Sequence, residues 1–224
     1  PCATLLRCAC LLVCAVGRGV AALIYEVVSF QVLGLIVGSS AISIGVLLGT
    51  FMGGMCIGSL ALSRVIKRSE HPLRVYAHLE AGIAVSGLLL LLILPLIGTV
   101  YVAIAGQGFT GLFVRAIVAA ICLLPPTLMM GATLPAISRW VETSPKGVSW
   151  LGFFYGGNIA GAVFGSLLAG FYLLRVYDVV TATIAAVAIN VAVAVAGLVL
   201  AKTTSYRAPA DNSMDAPTKL WTIP

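Results

Sequence analysis

Charge is what this sequence has least of. Only 9% of its 224 residues are charged, with 13 Lys and Arg against 7 Asp and Glu and only 2 His. A soluble domain carries about 25% charged residues, so this chain cannot coat a water-facing surface, and most of its surface must face lipid. Catalytic signatures are missing as well. There is no Walker A sequence, no HExxH and no GxSxG, which removes the usual phosphate-cradling, zinc-hydrolase and nucleophile-elbow readings. No strand–Gly-rich-loop–helix unit is present to hold a nucleotide or S-adenosyl group, so no cofactor is expected. The basic residues form no stripe interleaved with aromatics, which argues against a nucleic-acid partner. Six cysteines occur, four of them (Cys2, Cys8, Cys10, Cys14) near the start, with Cys56 and Cys122 further on. Their spacing fits no zinc or iron–sulfur pattern, so no metal is expected. Cys is also a small apolar residue suited to helix packing in lipid.

What is present is apolar length. Hydrophobic residues make up 61% of the chain and mean hydropathy is +1.12. A spanning helix needs about 20 apolar residues, and six segments qualify, near 9–37, 41–63, 75–97, 112–139, 149–174 and 178–201. The first begins like a signal peptide, with an apolar run after Arg7. Apolar residues continue past Arg18 to Val37 without a small-residue cleavage site, so a retained helix is expected. LLVC ending at Cys14 is a poor lipoprotein box, because Val13 is not small. The expected fold class is all-α integral membrane: one six-helix domain over 1–201, then a polar, Pro-rich tail at 202–224.

The few charges set the orientation. Arg64, Lys67, Arg68 and Arg74 surround Glu70 between the second and third segments, and Arg139 and Lys146 flank Glu142 between the fourth and fifth. The first connection (Gly38, Ser39, Ser40) has no charge, and the last has one of each sign, Arg175 and Asp178. The positive-inside bias puts both basic loops in the cytoplasm. Both termini then lie there too, in keeping with Arg7, Lys202 and Arg207; Arg115 is the exception. The expected location is a bacterial inner membrane.

Glycines supply the next pattern. The second segment holds Gly45, Gly49, Gly53, Gly54 and Gly58, and the fifth holds Gly152, Gly156, Gly157, Gly161 and Gly165. Small residues at spacing four let helix backbones approach closely, and such packing holds helices together where lipid removes the hydrophobic drive. Plain helix packing accounts for either stripe alone. A shift of about 107 positions, without gaps, lays Gly45 on Gly152, Gly49 on Gly156, Gly54 on Gly161 and Gly58 on Gly165. It also lays Arg18-Gly19 on Pro125-Pro126. Repeat halves near 1–104 and 111–201 would each have three spans, an odd number, so their orientations must be opposite. That is the inverted repeat of many transporters, including each half of the major-facilitator fold.

Few residues carry chemistry. Glu26, in ALIYEVV, is a carboxylate at membrane depth, a costly placement that marks either a proton or cation pathway or a hydrogen-bonded structural acid. Arg18, eight residues earlier, lies roughly 12 Å away along the axis, so the partner of either must come from another helix. PPTLMMGATLP places Pro125, Pro126 and Pro135 within one segment. Prolines remove backbone donors, and the freed carbonyls need Thr127, Thr133, water or a ligand. This predicts either a broken helix at a transport site or a simple kink. His78 and Glu80 open the third segment and are expected to anchor it at the inner surface beside the basic loop. Asn158 and Asn190 are intramembrane amides suited to interhelical hydrogen bonds.

In order along the chain, LIYEVVSFQVLGLIVGSS, FMGGMCIGSLALSR, PLRVYAHLEAGIA, LLPPTLMMGATLPAISR and FYGGNIAGAVFGSLLAGFYLL resemble the membrane part of the fused major-facilitator/spermidine-synthase-like proteins. The resemblance covers nearly all of 18–200. In that family the membrane part is often joined to an aminopropyltransferase-like domain with a GGGDG-type motif, and nothing in this chain matches that motif. No aminopropyl-transfer residue carries over, so the chain itself is not expected to be an enzyme. Gly58–Arg68 also resembles the basic loop of major-facilitator transporters, departing from it at Leu62, where an Asp is usual. The resemblance implies a polytopic membrane module, and the first functional expectation is that it binds or moves a small cationic or amine-bearing solute. Glu26 would supply the counter-charge, and Tyr25, Pro125, Pro126, Thr127 and Asn158 the pocket. Such a half-bundle would need a second copy or another membrane subunit. A reading of another class is a non-catalytic subunit that anchors or assembles a respiratory or photosynthetic complex, with the glycine stripes as contact faces.

Overall fold

The computed structural model describes residues 2–37, 41–65, 70–104, 109–141 and 147–204. Helix α1 spans Cys2–Val37, α2 Ala41–Val65, α3 Pro72–Ile104 and α4 Phe109–Val141. Helix α5 starts at Gly147–Leu167, continues through a π-helical segment at Leu168–Leu173 and ends with one α-turn at Leu174–Val176, and α6 spans Val179–Thr203. Six of these helices are long and apolar enough to cross a membrane, and no strand occurs among the described residues. In hydrocarbon every backbone N–H and C=O must pair within the protein, and a helix does so residue by residue. The protein is an all-α integral membrane protein. Lys67, Arg68, Glu142, Lys146, Arg207 and the tail beyond residue 204 lie outside the described residues.

The helix contacts come in related pairs. Helix α1 packs most extensively on α5, as α2 does on α4; α1 packs on α6 as α3 does on α4; and α3 packs on α6. Exchanging α1 with α4, α2 with α5 and α3 with α6 reproduces this pattern, as the glycine register implies.

The same exchange separates two kinds of glycine. A Cβ at Gly58 would overlap the Leu128 carbonyl, one at Gly54 the Thr127 side chain, and one at Gly131 the Met55 carbonyl, so α2 and α4 touch backbone to backbone. In the other half, Cβ atoms at Gly161 and Gly165 would overlap the Val16 and Val20 carbonyls of α1, and Gly157 packs on Leu12. Gly45, Gly49, Gly53, Gly152 and Gly156 meet nothing within 4 Å. Each stripe therefore has one packed edge and one open edge.

Of the two readings of the prolines, a broken helix or a simple kink, α4 excludes the first. It is helical throughout, with Pro125, Pro126 and Pro135 inside it. The two adjacent rings leave the carbonyls of Ile121 and Cys122 without their usual donors. The Thr127 hydroxyl does not reach them: it donates to Leu123 O (2.9 Å) and Leu124 O (3.0 Å), and Thr133 donates to Met130 O (2.7 Å), so neither threonine serves a carbonyl freed by a proline. At the α5–α6 turn, extended Asp178 caps α6 by accepting from the Thr181 N–H at 2.8 Å. That bond holds the Asp178 carboxyl below its ordinary range. At the other end of the bundle, the Arg7 guanidinium donates to Thr203 O at 3.0 Å and ties α1 to the last turn of α6.

Candidate functional site: a buried charged crossing

The polar centre of the bundle forms around Arg18, which sits in α1 between two glycines. A Cβ at Gly19 would overlap the Asn158 carbonyl of α5, and Gly17 lies against Val193 and Ile189 of α6. The Gly-Arg-Gly sequence thus brings two neighbouring helices in to touch α1 at the level of the guanidinium. One terminal nitrogen of Arg18 donates to Asn158 Oδ1 at 2.7 Å, and the other donates to Met130 O of α4 at 2.5 Å. Its Nε lies 3.6 Å from Glu80 Oε1 of α3. Four helices meet at one side chain that is only 5% exposed.

Glu80 is fully buried, at 0% exposure. This corrects the expectation that it anchors α3 at the inner surface. Its depth, roughly 12 Å from the start of α3 at Pro72, is matched by an internal cation rather than by the basic loop. His78, two residues earlier, points outward and is exposed. A buried ion costs several kcal/mol of desolvation, repaid only by close pairing and further hydrogen bonds. Arg18 meets that condition through Asn158 and Met130. Glu80 meets it less fully: its Oε1 pairs with Arg18 Nε at 3.6 Å, beyond hydrogen-bond length, and the Tyr76 hydroxyl is its neighbouring donor. Tyr25 and Cys14 are further titratable side chains within electrostatic reach of the carboxyl. The centre therefore holds a fixed, well-bonded cation beside a more loosely held carboxylate.

Next to this centre is a small cavity. Tyr25, Ser29, Phe51, Gly87, Pro126 and Met130 are among its lining residues, and its volume of about 10 Å³ is close to what one water molecule needs. A Cβ at Gly87 would overlap the Tyr25 ring, so that glycine makes the space the ring occupies. The Tyr25 hydroxyl is buried and closes no hydrogen bond among the described residues. Met130 joins the two features, since its carbonyl receives Arg18 and it also lines the cavity.

The residues singled out in the sequence are thus divided. Tyr25 and Pro126 share the cavity, Asn158 binds Arg18, and Thr127 is buried against Gly54. Pro125 is exposed. Glu26 is half-buried and makes no hydrogen bond or ion pair among the described residues. Sequence reasoning missed Arg18 and Glu80 as a pair. The signal was an arginine inside an uncharged apolar run, which needs an acid from another helix. Asn190 is also buried, with its Oδ1 unpaired among the described residues.

Comparison with known proteins returned no match: no family model, no curated protein and no solved structure.

Proposed function

We propose that the chain is the membrane module of a spermidine-synthase-like protein and binds or moves a small cationic, amine-bearing solute, with Glu80 rather than Glu26 as the counter-charge. The observation that carries this reading is a fully buried carboxylate that is paired only through Arg18 Nε at 3.6 Å and closes no short hydrogen bond to that arginine, whose terminal nitrogens are anchored elsewhere. Because Arg18 gives its terminal nitrogens to Asn158 and Met130, Glu80 keeps acceptor capacity for an ammonium donor. The paired packing of the two halves supports a transporter-type inverted repeat. The cavity beside the centre is too small for a whole polyamine, so loading requires the helices to part. Arg64, Arg74 and Lys202, at the helix ends that carry the basic connections, support a bacterial inner membrane with cytoplasmic termini.

The test is uptake of labelled spermidine into proteoliposomes. Wild type accumulates it, Glu80→Gln loses uptake by about tenfold or more, in line with removal of a buried charge-assisted contact, and Glu26→Gln behaves as wild type. Neither uptake nor binding in the wild type, or an unchanged Glu80→Gln variant, overturns the reading.

A second reading rests on the open glycine edges. Gly45, Gly49 and Gly53 on α2 and Gly152 and Gly156 on α5 pack on nothing within the chain, as befits a module that docks on a second copy or a non-catalytic subunit within a larger respiratory or photosynthetic complex. Purification in mild detergent separates the two readings: a solitary monomer excludes the second.

A further inference from the structure

A groove of about 510 Å³ lies between the C-terminal half of α1 and the π-helical segment of α5, far from the charged crossing. Its walls are Val27, Phe30 and Gly34 on one side and Gly170, Phe171 and Leu174 on the other, and Gln31 and Arg175 supply its polar groups. Two features of the chain create it. Gly34 and Gly170 carry no side chain, and a Cβ at either would meet nothing within 4 Å. The π-helical turn at Leu168–Leu173 interrupts the α-helical register of α5 where the groove opens.

The charge is one-sided. Arg175 is exposed at the end of α5, and no carboxylate lines the groove among the described residues. The nearest acid in sequence, Asp178, is engaged with the Thr181 N–H. The segments joining α1 to α2 and α3 to α4 contain no charged residue. Tyr172 and Tyr177 pair edge-on at 5.8 Å at this end of α5, an arrangement suited to the headgroup level, where tyrosines concentrate. An apolar slot running into the hydrocarbon with a lone guanidinium at headgroup level matches one occupant. A second protein face would strip water from Arg175 without an acid known to meet it, whereas a lipid brings both an acyl chain and a phosphate.

We propose that this groove is a binding site for an anionic phospholipid, with one acyl chain lying along Gly34 and Gly170 and the headgroup phosphate on the Arg175 guanidinium. The site goes beyond the proposed transport role and does not depend on it. Lipid retention by the purified full chain tests it, measured by native mass spectrometry after detergent delipidation and titration with phosphatidylglycerol or phosphatidylcholine. Wild type prefers phosphatidylglycerol. Arg175→Gln weakens that binding about tenfold, the size of one charge-assisted hydrogen bond, and weakens phosphatidylcholine binding less, because choline already offsets its phosphate charge. Gly170→Phe fills the slot and weakens both lipids; Gly34→Leu does the same from the opposite wall and serves if the first variant does not fold. Inorganic phosphate displaces neither lipid. Equal phosphatidylglycerol binding by wild type and Arg175→Gln overturns the proposal. So does lipid binding indifferent to both glycine variants, displacement of lipid by inorganic phosphate, or loss of a dimer in place of lipid.

Discussion

Where α1 carries Arg18, the register of the repeat places Pro125 in α4; where α5 carries Asn158, it places Phe51 in α2; and where α3 carries Glu80, it places Val187 in α6. The two sets occupy related crossings of the same bundle. In the first, an arginine, an amide and a carboxylate are joined at distances of 2.7 and 3.6 Å. In the second, Pro125 is exposed and takes no part; its neighbour Pro126 and Phe51 line one small cavity, and Phe51 and Val187 belong to the same buried apolar cluster. The backbone framework is common, since both crossings are drawn together by glycines pressed on carbonyls. Shape is therefore set by the repeated small residues, while the buried charges are confined to one of the two crossings. The lesson is that a polar centre is not needed where helices cross, because an apolar crossing closes as well. The buried charges at the other crossing are retained at a desolvation cost, which is why function is sought there.

The comparison breaks most visibly if the charged crossing is cut on one side only. Arg18→Ala or Glu80→Ala is expected to cost about 3–5 kcal/mol, because each leaves an uncompensated buried charge. The joint replacement Arg18→Met with Glu80→Leu, which imitates the apolar crossing, is expected to recover most of that loss. Reversible unfolding in mixed micelles checks this, and a double variant as unstable as the singles would contradict it.

Glycines sharpen the comparison at the next level. Gly58→Ala in one half and Gly165→Ala in the other each force a methyl against a carbonyl. Both should destabilise by about 1–3 kcal/mol, the usual cost of overpacking, and by similar amounts. Gly49→Ala and Gly156→Ala meet open space and should stabilise by about 0.5–1 kcal/mol through helix propensity. The same unfolding assay separates the two classes. A cost at the open positions would mean that a second chain covers them.

Glu26 gives a smaller effect. Without a partner among the described residues and half-exposed, Glu26→Gln should shift stability by less than about 0.5 kcal/mol. The smallest effect is at the exposed cap of α6. The Asp178 carboxyl is held below its ordinary range by the Thr181 N–H, so its contribution is present above the ordinary carboxylate range and is lost as pH falls through the lowered value. Asp178→Ala should therefore lower Tm slightly at neutral pH and leave it unchanged in acid, as thermal melts at the two pH values would register.

Much of the architecture was legible in the sequence because lipid imposes simple demands. Six apolar lengths, a few basic connections and glycines at spacing four suffice to read six helices and the pairing of halves. Which glycine edge would be packed was not legible, since Gly49 and Gly58 look alike until a neighbour is placed against them. The site was partly legible: Tyr25, Pro126 and Asn158 lie at the centre or its cavity. Glu80 was misplaced because eight residues into a 33-residue helix fixes no depth unless the partner is known. That partner, Arg18, is remote in sequence and joined only by packing. Pro125 and Pro126 allowed either a break or a simple kink, and the sequence did not choose between them; α4 is helical through both.

The central claim is that Arg18 and Glu80 interact directly inside the bundle, and a double-mutant cycle of Arg18→Met and Glu80→Leu measures this most directly. A coupling energy of at least about 3 kcal/mol, the upper end of the range for side chains in contact and what two one-sided losses of about 3–5 kcal/mol recovered in the double variant require, is the predicted result. Strictly additive single effects, with no coupling beyond experimental error, would contradict the account.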